Sequence, residues 1–172
     1  MKFDTIVIGG GRSGLEAALE ALDAGGTCAI VTFGRSTGGV DYRPFTAAGG
    51  TLLLGDKVTG AEWDGPRIAS LRTANLGSTP LEADNYVLAT GKFSGGGLYA
   101  DMDSVRETVF GLDVRYEEDR SKWFDPDFFA RQPFLDFGVA TDPDGHPFAG
   151  GVKVPNLVAV GRVKASGEYA GK

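Results

Sequence analysis

The first forty residues constrain this chain's fold more than any other stretch. Phe3-Asp4-Thr5-Ile6-Val7-Ile8 is an apolar, β-branched run. Gly9-Gly10-Gly11-Arg12-Ser13-Gly14 follows without a gap, then a helical pattern over residues 15–24, then a second apolar run, Cys28-Ala29-Ile30-Val31-Thr32. In order, this is strand, glycine turn, helix and strand. Gly9, Gly11 and Gly14 have the G-x-G-x-x-G spacing. The first glycine serves a tight turn, the second a close backbone approach to a pyrophosphate, and the third close helix–strand packing. The helix start then offers unpaired N–H groups and the positive end of its dipole to that diphosphate. In a chain with 27 glycines the spacing alone is weak. Its position between a strand and a helix gives it weight. The expectation is a dinucleotide-binding loop of Gly9, Gly11, Arg12, Ser13 and Gly14, with the backbone N–H groups around Gly11 to Ser13 holding the diphosphate.

The helix can be checked by period. Leu15, Ala18, Leu19 and Leu22 form one apolar stripe, and Glu16, Glu20 and Asp23 fall on the other face. Gly25 ends it, and a right-handed crossover makes the second strand parallel to the first. Many dinucleotide folds end that second strand in a carboxylate that binds the ribose. Here the chain reads Thr32-Phe33-Gly34-Arg35-Ser36. Thr32 either bonds the ribose through a weaker hydroxyl or merely ends the strand.

Composition excludes several classes. A length of 172 residues predicts one domain, residues 1–172. A formal charge of −6 argues against a nucleic-acid groove. The longest apolar run is far short of a membrane span, and Asp4 and the glycines interrupt any signal-peptide pattern. Cys28 is the one cysteine, so no internal disulfide and no thiolate metal cluster is expected, and the chain reads as cytoplasmic.

Further along, residues 37–50 read as a turn-rich link without helix or strand, with Arg43 solvated. Residues 51–54 read as a buried strand. Residues 57–63, 67–73 and 85–91 read as an antiparallel meander, turning at Asp64-Gly65 and ending at Gly91. Residues 93–98 read as a flexible apolar loop. Arg106, Arg115 and Arg120 stand among acids, so surface ion pairs are expected. Trp123, Phe124, Phe128, Phe129, Phe134 and Phe137 make a dense aromatic stretch, either core or a lid. His146 lies in a Pro/Gly turn and reads as solvated rather than as an acid–base group. No catalytic residue and no metal site is assigned. Asn156-Leu157-Val158-Ala159-Val160-Gly161 reads as a last buried strand.

The glycine loop, Val87-Leu88-Ala89-Thr90-Gly91 and the late strand ending in Gly161 together resemble the FAD-binding domain of two-dinucleotide-binding flavoproteins. The chain more closely resembles the B subunits of anaerobic glycerol-3-phosphate dehydrogenase, flavoprotein partners of a larger catalytic subunit. That likeness rests on residues 3–11 and 28–32, Phe93-Ser94-Gly95-Gly96-Gly97-Leu98, Gly111-Leu112-Asp113-Val114, Gln132-Pro133-Phe134 and Phe137-Gly138-Val139. It covers roughly residues 1–38 and 75–172. It implies an α/β, three-layer FAD/NAD(P)-binding Rossmann-like domain with a central parallel sheet and a small antiparallel β-meander.

It also implies bound FAD, with FMN as the alternative because that family is associated with a mononucleotide flavin. Thr32 and Phe33 would stand on the adenosine side, and Gly91, Gly161 and Arg162 on the flavin side. Where the wider flavoprotein pattern often has Asp after the last glycine, this chain has Arg162. The glycerol-3-phosphate dehydrogenase family carries a long substrate-side segment where residues 37–50 stand, and continues into a further helix where residues 167–172 stand. The implied activity is hydride or electron transfer, with another oxidoreductase subunit or a second copy as partner and any membrane association peripheral. Two alternatives stay open. One is a non-catalytic flavin-binding or scaffold subunit; the other is a small relative of the flavoproteins of tRNA wobble-uridine modification.

Overall fold

The computed structural model describes residues 1–34 and 39–171. Arg35, Ser36 and the start of the expected 37–50 link lie outside the described residues. The chain opens with β1 (Lys2–Ile8), α1 (Arg12–Asp23) and β2 (Cys28–Thr32), followed by a short α2 (Arg43–Ala47) and β3 (Thr51–Leu54). A hairpin of β4 (Val58–Asp64) and β5 (Arg67–Thr73) precedes β6 (Glu82–Leu88). Three small antiparallel elements follow: β7 (Leu98–Ala100) with β8 (Val105–Glu107), β9 (Val114–Arg115) with β10 (Gly138–Val139), and β11 (Phe148–Ala149) with β12 (Val152–Lys153). Strand β13 (Leu157–Ala159) closes the main sheet. That sheet has five parallel strands in the order β13-β6-β1-β2-β3.

Alternation along the strands creates the layers. In β1 and β2, Val7, Cys28 and Ile30 face α1 and α2, meeting Ala18, Tyr42 and Phe45. Ile6, Ile8, Ala29 and Val31 face the other way, onto the hairpin residues Val58, Ile68 and Leu71. Helices therefore cover one face and antiparallel strands the other. Asp4 fastens the start of β2: its Oδ2 accepts from the Thr27 backbone N–H at 2.7 Å and the Thr27 hydroxyl at 3.0 Å. Cys28, in the buried layer beneath the helices, has its thiol pushed up to about 11 by burial. Among the described residues, no helix is long and apolar enough to cross a membrane.

Several expectations need correction. The 37–50 stretch contains a helix, because Phe45 is fully buried and Pro44 suits a first helical turn. The third strand of the meander leaves it. It joins the parallel sheet as β6, and the hairpin keeps a Leu71–Leu81 bridge just ahead of that strand. Helix α1 starts at Arg12, directly after the glycines. Arg106, Arg115 and Arg120 make no ion pair among the described residues. Arg106 covers the Tyr99 ring at 4.7 Å, Arg115 bonds the Tyr169 carbonyl, and Arg120 covers Trp123 at 4.2 Å.

The aromatic stretch divides. Trp123 and Phe137 are buried, whereas Phe124, Phe128 and Phe129 are exposed. His146 is half-buried rather than solvated, with Nδ1 2.9 Å from the Leu157 carbonyl oxygen.

Phe137 is the centre of the second half. Its ring meets Tyr169 at 5.1 Å, Trp123 at 5.7 Å and Tyr116 at 6.3 Å, all edge to face. Truncation removes a fully buried ring. Phe137→Ala is expected to cost about 3–5 kcal/mol in urea unfolding, whereas Phe129→Ala, at an exposed ring, should stay within about 0.5 kcal/mol.

Candidate functional site

The glycine loop shows what each glycine does. Gly9 leaves β1 at φ +106°, and a methyl there would overlap the Ala89 carbonyl. A methyl on Gly14 would overlap the Gly9 carbonyl oxygen, so the helix packs directly on the end of the strand. Gly11 is different: a Cβ there meets nothing within 4 Å. Gly11 caps α1 without any side-chain hydrogen bond, and no acidic residue stands in the first turn. The first intrahelical bond runs from Leu15 N–H to Gly11. The N–H groups ahead of it are left for an outside acceptor.

A cleft of about 600 Å³ opens in front of this loop, between the carboxyl ends of β1, β2 and β6. Gly9, Gly11, Thr32, Phe33 and Gly91 line it. Arg12, Ser13 and Gly14 stand behind, on the first turn of α1. The Tyr42 hydroxyl donates to the Gly10 carbonyl and also bonds the Thr32 hydroxyl. Burial raises the pKa of Tyr42, partly offset by Thr32. This clamp ties the glycine loop to the end of β2, and it gives α2 a role in the site. Phe33 is 72% exposed, with the Lys57 ammonium 5.7 Å from its ring centre. Asp56 and Thr108 also line the cleft, and the Thr90 hydroxyl is buried in its wall without a hydrogen-bond partner among the described residues. Buried Glu107 shapes the far wall by accepting from the backbone N–H groups of Val109, Phe110 and Leu112. Burial raises the pKa of Glu107 against the pull of those donors.

A second cleft of about 920 Å³ continues from the first, sharing Gly91 and Gly95. Gly161 and Arg162 line it. Gly161 stands against Ser13: a methyl there would overlap the serine hydroxyl. The expected diphosphate and flavin groups are thus brought to one place, at the start of α1. Lys92, Arg131 and Lys164 add to Arg162, giving this compartment four cations. The Lys92 ammonium donates to the Leu135 carbonyl, and burial lowers its pKa. Asp136 pairs with Arg131 through both carboxylate oxygens and accepts from the Ser166 hydroxyl at 2.8 Å. His146 lines neither cleft.

Free helix N–H groups, an open Gly11, an orphaned hydroxyl and two joined compartments fit a dinucleotide with a long second half. A Rossmann-type flavoprotein domain is the class this fold and cleft define. The chain belongs to the FAD binding domain family, whose model matches residues 4–67 and 42–171 in two overlapping segments. It is 40% identical over 122 residues to the B subunit of anaerobic glycerol-3-phosphate dehydrogenase from Vibrio cholerae serotype O1, and 42% identical over 119 residues to its counterpart in Yersinia pseudotuberculosis serotype I. These matches cover 70% and 69% of this chain but only 28% of each relative. They agree with the glycerol-3-phosphate dehydrogenase resemblance rather than the tRNA-modification one. The crystal structure of T. acidophilum thioredoxin reductase has the same fold, with a TM-score of 0.51 at 13% identity, over 98% of this chain and 92% of that one.

Sequence reasoning missed Tyr42, Asp56, Lys57, Thr90, Thr108 and the Lys92–Arg131–Asp136 group. Tyr42-Arg43-Pro44, a helix start with proline at its first turn, was a signal for the Tyr42 clamp. Thr90 adjoins the expected Gly91 just past β6, and the remaining residues reach the cleft from loops whose course only the packing sets.

Two contrasts test this geometry. Gly14→Ala is expected to lose about 2–3 kcal/mol of stability, because the helix must back away from β1. Gly11→Ala should stay within about 1 kcal/mol of wild type, yet weaken FAD binding about tenfold, both read by thermal melting and flavin titration. The second contrast concerns acid. The Arg131 hydrogen bonds hold Asp136 below its ordinary 3.8, so the pair adds stability above that value. That stability is lost as pH falls through the folded-state pKa. Asp136→Asn is expected to flatten the acid limb of the melting profile while lowering stability at pH 7.

Proposed function

We propose that this chain is a flavin-dependent oxidoreductase module of the kind found in the B subunits of anaerobic glycerol-3-phosphate dehydrogenase. The observation that carries the reading is the N-terminus of α1, facing a continuous two-part cleft across an open Gly11. FAD supplies a ring system that takes up hydride or single electrons. In this reading the backbone N–H groups around Gly11, Arg12 and Ser13 hold the diphosphate, while Gly9 and Gly14 set the turn and the close helix–strand packing that aim them. Thr32 and Phe33 stand at the adenosine, and Gly91, Gly161 and Arg162 at the flavin. Lys92, Arg131, Arg162 and Lys164 favour negative charge in the flavin compartment.

Oxidising an alcohol also needs a base for the hydroxyl proton. Among the described residues lining the second cleft there is no carboxylate. Asp136, next to the lining residue Leu135, is occupied by Arg131 and Ser166. That supports electron transfer to another oxidoreductase subunit over complete turnover of a substrate. The same reading puts the module in the cytoplasm, with any membrane association made through that partner.

Purified protein is expected to be yellow, to release FAD on heating as judged by mass, and to bleach with a chemical reductant. A colourless protein that takes up no added FAD overturns the reading. A yellow protein that dithionite reduces but no physiological donor or partner does would leave a flavin-binding scaffold instead.

A further inference from the structure

The cleft has an acceptor on its adenosine side that the glycine motif does not announce. Strand β2 ends in Thr32, and the Thr32 hydroxyl is engaged by Tyr42. The Thr32 carbonyl, however, accepts from the backbone N–H groups of Gly55 and Asp56 at 2.9 and 3.1 Å. Those two bonds fold the turn after β3 back onto the end of β2. They bring Asp56 beside the position where a second-strand carboxylate would stand.

Asp56 is only 3% exposed, yet it lines the cleft. Its Oδ1 accepts from the Lys57 backbone N–H at 2.8 Å and from the Asn75 backbone N–H at 3.0 Å. Neither bond uses Oδ2, and no donor to Oδ2 and no ion pair to this carboxylate occurs among the described residues. The neighbouring Lys57 ammonium lies over the Phe33 ring instead. With one oxygen fixed by backbone donors, the other is not sealed from solvent and is open to a donor that enters the cleft.

We propose that Asp56 is the ribose-binding carboxylate of this site, its Oδ2 accepting from a ribose hydroxyl of the adenosine half. The assignment rests on the reading of the cleft as an FAD site. Charge excludes the diphosphate as the partner, since a carboxylate repels it. The exposed face of Phe33 is the flat apolar surface that suits the base. The ribose belongs at the carboxyl end of the second strand in dinucleotide folds, which is where the Thr32–Asp56 bonds hold this residue. The role usually filled by the last residue of β2 is thus filled from the turn after β3.

Asp56→Asn provides the test. Asn keeps an oxygen for the Lys57 and Asn75 donors and turns an NH₂, itself a donor, toward the ribose. FAD, FMN, ADP and 2′,3′-dideoxy-ADP are titrated against cofactor-free wild type and variant, with thermal melting alongside. The variant is expected to bind FAD and ADP about tenfold more weakly and FMN as wild type does. The preference of wild type for ADP over the dideoxy analogue should vanish. A variant that binds FAD like wild type overturns the assignment while leaving the cofactor reading intact. Equal loss of FAD and FMN together with a lowered melting temperature overturns it in favour of a purely structural turn. A wild-type protein that takes up no FAD overturns the assignment and the cofactor reading together.

Discussion

The contact between the Gly9 carbonyl and the missing side chain of Gly14 sets the distance between β1 and α1. With any side chain at position 14, the helix would stand off the strand. Its unpaired N–H groups would then miss the mouth of the cleft. The turn at Gly9 brings its Cα against the Ala89 carbonyl, so β6 is drawn into the same corner. Three strands, one helix start and the cleft therefore share one point of closest approach. The rest of the chain is added around it: hairpin and loops on one face, helices on the other.

This corner was legible because its determinants are local. Strand period, glycine spacing and helical stripe lie within residues 3–32, and each is set by neighbours a few positions away. The parallel pairing of β1 and β2 followed from the crossover rule, and the strand at Val87-Leu88-Ala89 from its apolar character. Much of the second half was not legible for a physical reason. Its strands are two or three residues long and are held by distant partners. Asp113 is an example: it accepts from the Gly150 and Gly151 backbones across 37 and 38 positions. No period exists in such stretches for a reader to find.

The candidate site divides the same way. The diphosphate end was readable to the residue, whereas the walls come from Tyr42, Asp56, Thr108 and the Lys92–Arg131–Asp136 group. Most of these act through contacts with backbone far away in sequence. The arginines teach the same lesson in reverse. Neighbouring acids predicted ion pairs, but aromatic faces and a carbonyl oxygen were taken instead. Burial, not composition, also decided which phenylalanines became core.

The buried thiol of Cys28 has a practical consequence. It lies in β2, between β1 and β3, beneath Ala18 and the α2 ring of Phe45. With its ionisation displaced to about 11, it is both shielded and chemically quiet in the native state. A disulfide reagent can reach it only when the helix layer lifts from the sheet. The one sulfhydryl of this chain is therefore a built-in clock for that lifting. Its labelling rate, with and without flavin, measures how firmly cofactor binding locks α1 and α2 onto the strands that form the cleft.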